Sequence, residues 1–201
     1  APASNLWILL DLQDEVQVGD EEHGTEEQGI ILTASLVDRG LRTHHNVGLL
    51  VNGSVVESLP PRADAGHGWG ILRALALASP GTTSLDKMLN RIHPSIRQGT
   101  TLVVVTPTTR IDWLSIIPRL QMRGITLTVF LLDPQTFGGQ ENNAELIAEL
   151  TQMGVASYNI PRNLLDRPEA RPGTAGQWEW RVSATGRAIS VRAPEDYAWR
   201  R

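Results

Sequence analysis

Short apolar runs alternate along the chain with longer stretches in which apolar residues return every three or four positions. Residues 6–12 (LWILLDL) form an apolar run broken near its end by Asp11. A run this short suits a strand buried on both faces of a parallel sheet. The acidic, Gly-containing segment 13–24 reads as a loop. Thr25-Glu26-Glu27-Gln28 has the spacing of a capping box. It opens a helix expected to reach Arg39, with Ile30, Ile31, Ala34 and Val37 on one side and Gly40 ending it. Residues 46–51 (NVGLLV) predict a second strand. Asn52-Gly53 predicts a tight hairpin turn, with residues 54–59 returning antiparallel until Pro60-Pro61 stops them.

The same alternation continues. Residues 68–78 predict a helix, and Ser84 is placed to cap a short one that ends before Pro94. Residues 101–105 (TLVVV) predict a buried strand, and 111–123 a helix bent by Pro118 and ended by Gly124. Strand 125–132, helix 144–153 and strand 155–160 complete the pattern. Strands alternating with helices predict an α/β fold: a Rossmann-like, open, mostly parallel six-stranded sheet with helices on both faces. The expected order is 3-2-1-4-5-6, with residues 54–59 as the one antiparallel edge strand. In such a sheet ligands bind beyond the carboxyl ends of the strands, where the strand order reverses. That point lies between the first and fourth strands, at Asp11 and its loop and at Thr106-Pro107-Thr108.

Residues 166–176 are rich in Pro, Gly and Arg and read as a linker. Residues 178–192 alternate around a Thr-Gly turn and predict a hairpin, with Trp178 and Trp180 on one face. Those two rings either pack on the domain or form a partner surface. The expected division is therefore a domain over 1–162 and an appendage over 163–201.

Composition narrows the function. The chain has 201 residues and no Cys, which excludes disulfides and thiolate metal sites. No apolar run approaches the 18 or so residues of a membrane span, and no signal-peptide pattern is visible. A cytoplasmic location is expected, or one as the soluble part of a membrane-anchored protein. The chain starts Ala-Pro-Ala-Ser rather than with Met and enters a strand almost at once, as a piece of a longer protein would. Net charge is −4, unevenly spread. Residues 1–38 hold nine acids and no Lys or Arg, whereas residues 39–201 hold thirteen acids and eighteen basic residues. Nucleic-acid binding needs a concentrated basic face, so this distribution argues against it. The acidic block is first of all a solvated loop.

The stretch LLDLQDE, residues 9–15, carries the candidate chemistry. The element order and the strand-terminal Asp11 resemble the von Willebrand factor A domain. More narrowly, the chain resembles the bacterial domain-of-unknown-function 58 family over roughly residues 4–160. The segments carrying the likeness are LLDLQDE, TASLVDRGLRTHHNVGLLVNGSVVESLPP, ALASPGTTSLDKML and TLVVVTPT. In such domains the first strand ends in Asp-x-Ser-x-Ser. A loop Thr and a second Asp after the fourth strand complete a Mg²⁺ site of oxygen ligands. By that resemblance Asp11 and Thr83 match, Gln13 and Glu15 replace the two Ser, and Pro107 stands where the second Asp is expected, beside Thr106.

Glu and Gln are long for a small octahedral ion, and Pro supplies no side-chain ligand. The expectation is a degenerate site in which Gln13, Glu15 and Thr83 hydrogen-bond one another, because buried polar groups must find partners. The resemblance also implies a protein-interaction role with no enzyme activity, partnered by MoxR-type AAA+ ATPases. One alternative is a working Mg²⁺-dependent domain that binds a partner carboxylate. Another is a small α/β hydrolase using Asp11 and Glu15 as an acid/base pair. Arg110-Ile111-Asp112-Trp113 looks like a family segment that normally lies upstream, but a helix cap at Asp112 accounts for it. His44-His45 read as a polar strand entry, and the Gly-rich segment 66–70 as a helix entry without a phosphate-loop Lys.

Overall fold

The structure, a computed structural model, describes residues 4–20, 22–165, 179–182 and 188–192. Among these residues, six strands form one sheet: β1 (Asn5–Leu10), β2 (Asn46–Asn52), β3 (Val56–Arg62), β4 (Thr101–Thr106), β5 (Thr126–Leu132) and β6 (Ala156–Ile160). Their order is β3-β2-β1-β4-β5-β6, and every pairing is parallel except β2 with β3. The order and the antiparallel edge expected from the sequence are both present. Strands β7 (Glu179–Val182) and β8 (Ala188–Arg192) pair antiparallel as a separate two-stranded sheet. Trp178 and the turn between these strands lie outside the described residues.

Alternate residues of the central strands feed two cores, as side chains pointing to opposite faces must. On one face Ile8 and Leu10 of β1, Leu49 and Val51 of β2, and Val103 and Val105 of β4 pack with Leu32, Val37, Ile71 and Leu75. Those four partners come from α1 (Thr25–Arg42) and α2 (Ala65–Ala76). Trp7, Leu9, Leu50, Leu102, Val104 and Val129 pack on the other face. There they meet Met88 and Leu89 of α3 (Leu85–Ile92), Leu120 of α4 (Ile117–Met122) and Leu146 of α5 (Ala144–Gln152). Burying each large apolar side chain contributes about 1.5–3 kcal/mol. The short α6 (Arg162–Leu165) adds Leu164 to the first of these cores.

Several local readings change. Helix α1 starts at Thr25 itself, with Gly24 as N-cap and no side-chain cap. The Thr25 hydroxyl instead donates to Gln17 Oε1 (2.8 Å) and accepts from the Val18 N–H (2.9 Å). The buried face of α1 includes Gly29, Leu32, Thr33, Val37 and Gly40, whereas Ile31 is exposed. Gly40 therefore does not end the helix. A Cβ there would come within 2.8 Å of Val47 Cγ2 and 2.9 Å of Leu6 Cδ2, so its small size lets α1 lie close on the sheet.

Pro60 and Pro61 do not stop β3 but lie inside it. An edge strand has one side without partners, so a missing N–H is tolerated there. Segment 111–123 begins as a 3-10 helix, Asp112–Ile116, before α4, with Pro118 in the first turn of α4. Asp112 does not cap that 3-10 helix, since Ile111 holds the cap position. Its carboxylate accepts from Arg110 (3.2 and 2.7 Å) and from the Trp113 N–H (3.0 Å). Ser84 holds the cap position of α3, but its hydroxyl donates to Asp86 rather than accepting from the helix.

Candidate functional site

Strand register builds the site. Leu10 pairs with Val51 of β2 and with Val105 of β4. The next residue on each strand is then Asn52, Asp11 and Thr106, side by side at the carboxyl ends of three neighbours. All three are buried, Asp11 at 1% exposure. The Asp11 N–H still bonds to the Val105 carbonyl (2.9 Å), which carries the β1–β4 ladder into the row.

Asp11 is the acceptor for the whole row. Its Oδ1 takes the Asn52 amide Nδ2 (2.7 Å) and the Gln13 N–H (3.1 Å), and its Oδ2 takes the Thr106 hydroxyl (2.7 Å). Thr106 Oγ1 in turn accepts the Thr108 N–H (3.0 Å). The orientation of Asn52 follows from its other bonds. Its Oδ1 accepts the Leu12 N–H (2.5 Å), so its Nδ2 must face Asp11 and the Thr83 carbonyl (2.8 Å).

Burial pushes the Asp11 carboxyl above the usual carboxylate range, because a charge loses its hydration there. Hydrogen bonds from Asn52, Thr106 and the Gln13 N–H pull the other way, each favouring the ionised form. All three donors are neutral.

Two loops close over the row. Gly81 donates to the Leu12 carbonyl (2.9 Å) and accepts from the Asp14 N–H (2.8 Å), forming a short parallel bridge with Gln13. This loop also lies against the β2–β3 turn: a Cβ on Gly81 would sit 2.3 Å from the Gly53 carbonyl oxygen. Only a residue without a side chain allows that approach. The Gln17 side chain ties the acidic loop down by donating to the Asp11 and Gln13 carbonyls (both 3.1 Å), while its Oε1 takes the Thr25 hydroxyl.

The residues singled out from the sequence occupy different depths. Asp11, Gln13 and Thr106 are buried together. Gln13 Nε2 donates to Glu15 Oε2 (3.2 Å), as expected, but Glu15 itself is exposed. Thr83 enters through its backbone carbonyl. A three-way bond among Gln13, Glu15 and Thr83 side chains is therefore not what closes the loops; Asn52, Gln17 and the Gly81 bridge do that together. Sequence reasoning misses both Asn52 and Gln17. Asn-Gly favours a turn, yet Asn52 also follows Val51, and the parallel pairing puts it beside Asp11. His44 and His45 lie in the turn before β2, where the His45 ring meets the Thr43 hydroxyl (2.9 Å). The Gly-rich segment 66–70 lies in α2, whose first turn is capped by Asp64 accepting the His67 N–H (2.8 Å).

The fit of a Mg²⁺ ion can be judged from these bonds. The ion needs several oxygens turned toward one point at short distances. Here both Asp11 oxygens already receive donors, and Asn52 presents nitrogen to Asp11. Pro107 offers no oxygen from its side chain. Among the described residues no three His, Asp or Glu side chains stand together as a metal set. In this arrangement the residues do not fit the ion.

A six-stranded sheet in this order, with a polar row at its switch point, defines a von Willebrand factor A-like domain. Solved structures agree on the fold. The conserved hypothetical protein BatB from Bacteroides thetaiotaomicron is 17% identical, at TM-score 0.58 over 79% of this chain and 91% of that one. The SpRpn10 VWA domain is 13% identical, at TM-score 0.53 over 85% and 96%. Proximal thread matrix protein 1 from the mussel byssus, with a zinc-occupied MIDAS motif, is 13% identical, at TM-score 0.55 over 81% of this chain and 45% of that one. Among curated proteins no sequence matches. The chain belongs to the family described as "Protein of unknown function DUF58", whose pattern matches residues 2–137. Among the described residues no helix is long and apolar enough to cross a membrane.

Proposed function

We propose that this is a protein-interaction domain whose metal site is degenerate and whose partner is a MoxR-type AAA+ ATPase. The observation that carries the reading is the saturation of Asp11. Both its oxygens are held by neutral donors, two from neighbouring strand ends and one a backbone N–H. In this reading the row stabilises the loops, and the accessible residues around it meet the partner. An ATP-driven partner places the encounter in the cytoplasm. No enzyme activity is proposed, because Asp11 is buried while Glu15 reaches solvent and is joined to it only through Gln13. The interaction domain is taken as residues 1–162, with 163–201 as an appendage, so deleting residues 166–201 should leave a folded domain.

Melting in the presence of divalent cations tests the metal part. A ligand at 100 times its dissociation constant adds about 2.7 kcal/mol to the folded state. Millimolar Mg²⁺ or Mn²⁺ should shift the midpoint no more than an ionic-strength control. A saturable shift abolished by Asp11→Ala and Thr83→Ala would instead establish the Mg²⁺-dependent reading. Co-purification with a MoxR-type ATPase, weakened by Glu15→Lys, tests the partner.

A further inference from the structure

Beside the Asp11 row lies a cleft of about 240 Å³ between the loops that follow β1, β4 and β5. Val16, Val18, Pro107 and Pro134 supply the apolar part of its lining. Pro107 and Pro134 are buried and the two Val are half-buried, so the apolar part is built into the fold. Glu15 and Glu141 bring carboxylates to the same cleft from opposite loops. Thr109 holds Glu141 in place by donating to its Oε2 (2.5 Å). Among the described residues the cation lining the cleft is Arg110, and Asp112 already engages it through two nitrogens. Two carboxylates thus line the cleft beside one guanidinium, and that guanidinium is paired with Asp112 outside the lining.

A lining that combines these apolar residues with two carboxylates suits a long cationic side chain. The methylene stem covers the apolar surface while the charged head reaches the carboxylates. A bare ion would gain nothing from Val16, Val18 and the two Pro, and an anionic side chain would meet Glu15 and Glu141. We propose that this cleft takes an arginine or lysine side chain of the protein partner. The inference rests on the interaction reading above and deepens it. It also reverses the chemistry of the Mg²⁺-dependent alternative, in which the partner would bring a carboxylate.

Titration of the ¹⁵N-labelled full chain with three blocked tripeptides, acetyl-Gly-Arg-Gly-amide, acetyl-Gly-Glu-Gly-amide and acetyl-Gly-Leu-Gly-amide, tests it. The Arg peptide should shift the Thr109, Gly139 and Gln140 amides saturably. Glu15→Gln and Glu141→Gln should each weaken that binding by about twofold to fivefold, the range for an exposed ion pair. Saturation by the Glu or Leu peptide at the same amides would overturn the proposal. So would shifts from the Arg peptide that never saturate, or an affinity unchanged in both variants. A parallel Mg²⁺ titration, read at the Asp11 and Gln13 amides, reports on the metal reading separately, so either can fail without the other.

Discussion

Strands β1 and β2 are bridged at both ends by a similar pair of side chains. At the amino end Asn46 Nδ2 donates to Asn5 Oδ1 at 3.1 Å. At the carboxyl end Asn52 Nδ2 donates to Asp11 Oδ1 at 2.7 Å. Asn5 and Asn46 are half-buried, so water can replace either partner. Asp11 and Asn52 are buried, and Asn52 also serves the Leu12 N–H and the Thr83 carbonyl. The difference teaches that burial, more than the chemistry of the bond, sets what a polar pair is worth. A lost partner near water is replaced, whereas one in the interior leaves unmet donors and acceptors.

Asn52→Ala should have the largest effect. It strands the Leu12 N–H and removes a donor from a buried carboxylate, at a cost of about 2–4 kcal/mol measured by urea unfolding. A cost no greater than that of Asn46→Ala would break the comparison. Gly81→Ala should come next, at about 1–3 kcal/mol, because the added methyl meets the Gly53 carbonyl, a backbone atom that cannot rotate away. If Gly81→Ala is neutral, the two loops are not held as tightly as the site requires.

Asp11→Asn sharpens the electrostatic half of the comparison. The folded state raises the Asp11 carboxyl above its ordinary range, so folding favours the protonated form. That contribution is present in acid and is lost as pH rises through the raised value. The stability of the parent chain relative to Asp11→Asn should therefore fall as pH rises from acid toward neutral. An opposite slope, measured by denaturation across that range, would mean that the hydrogen bonds outweigh burial. Asn46→Ala should have the smallest effect, below about 1 kcal/mol, because water reaches the half-buried groups it leaves.

The carboxyl-end site is partly legible in the sequence. An apolar run ending in Asp11 places that carboxylate at the end of a buried strand, and Thr106 after an apolar run lies at the end of the fourth. Asn52 is hidden by its neighbour Gly53. A local turn preference and a strand-end role compete at that position, and only the pairing of residue 51 with residue 10 decides between them. Gly40 is hidden for a similar reason: a glycine inside a helix looks like an end until a strand is known to lie against it.

By itself, the sequence determined the alternation of strands and helices, the antiparallel return after Asn52-Gly53 and the position of Asp11 at a strand's end. These depend on apolar periodicity and short-range turn chemistry, which act between residues close along the chain. The tertiary structure alone decided which groups meet the Asp11 carboxylate. Asn52 lies 41 residues away and Thr106 lies 95. Contacts at such separations follow from sheet register, and register follows from how every strand buries its two faces at once.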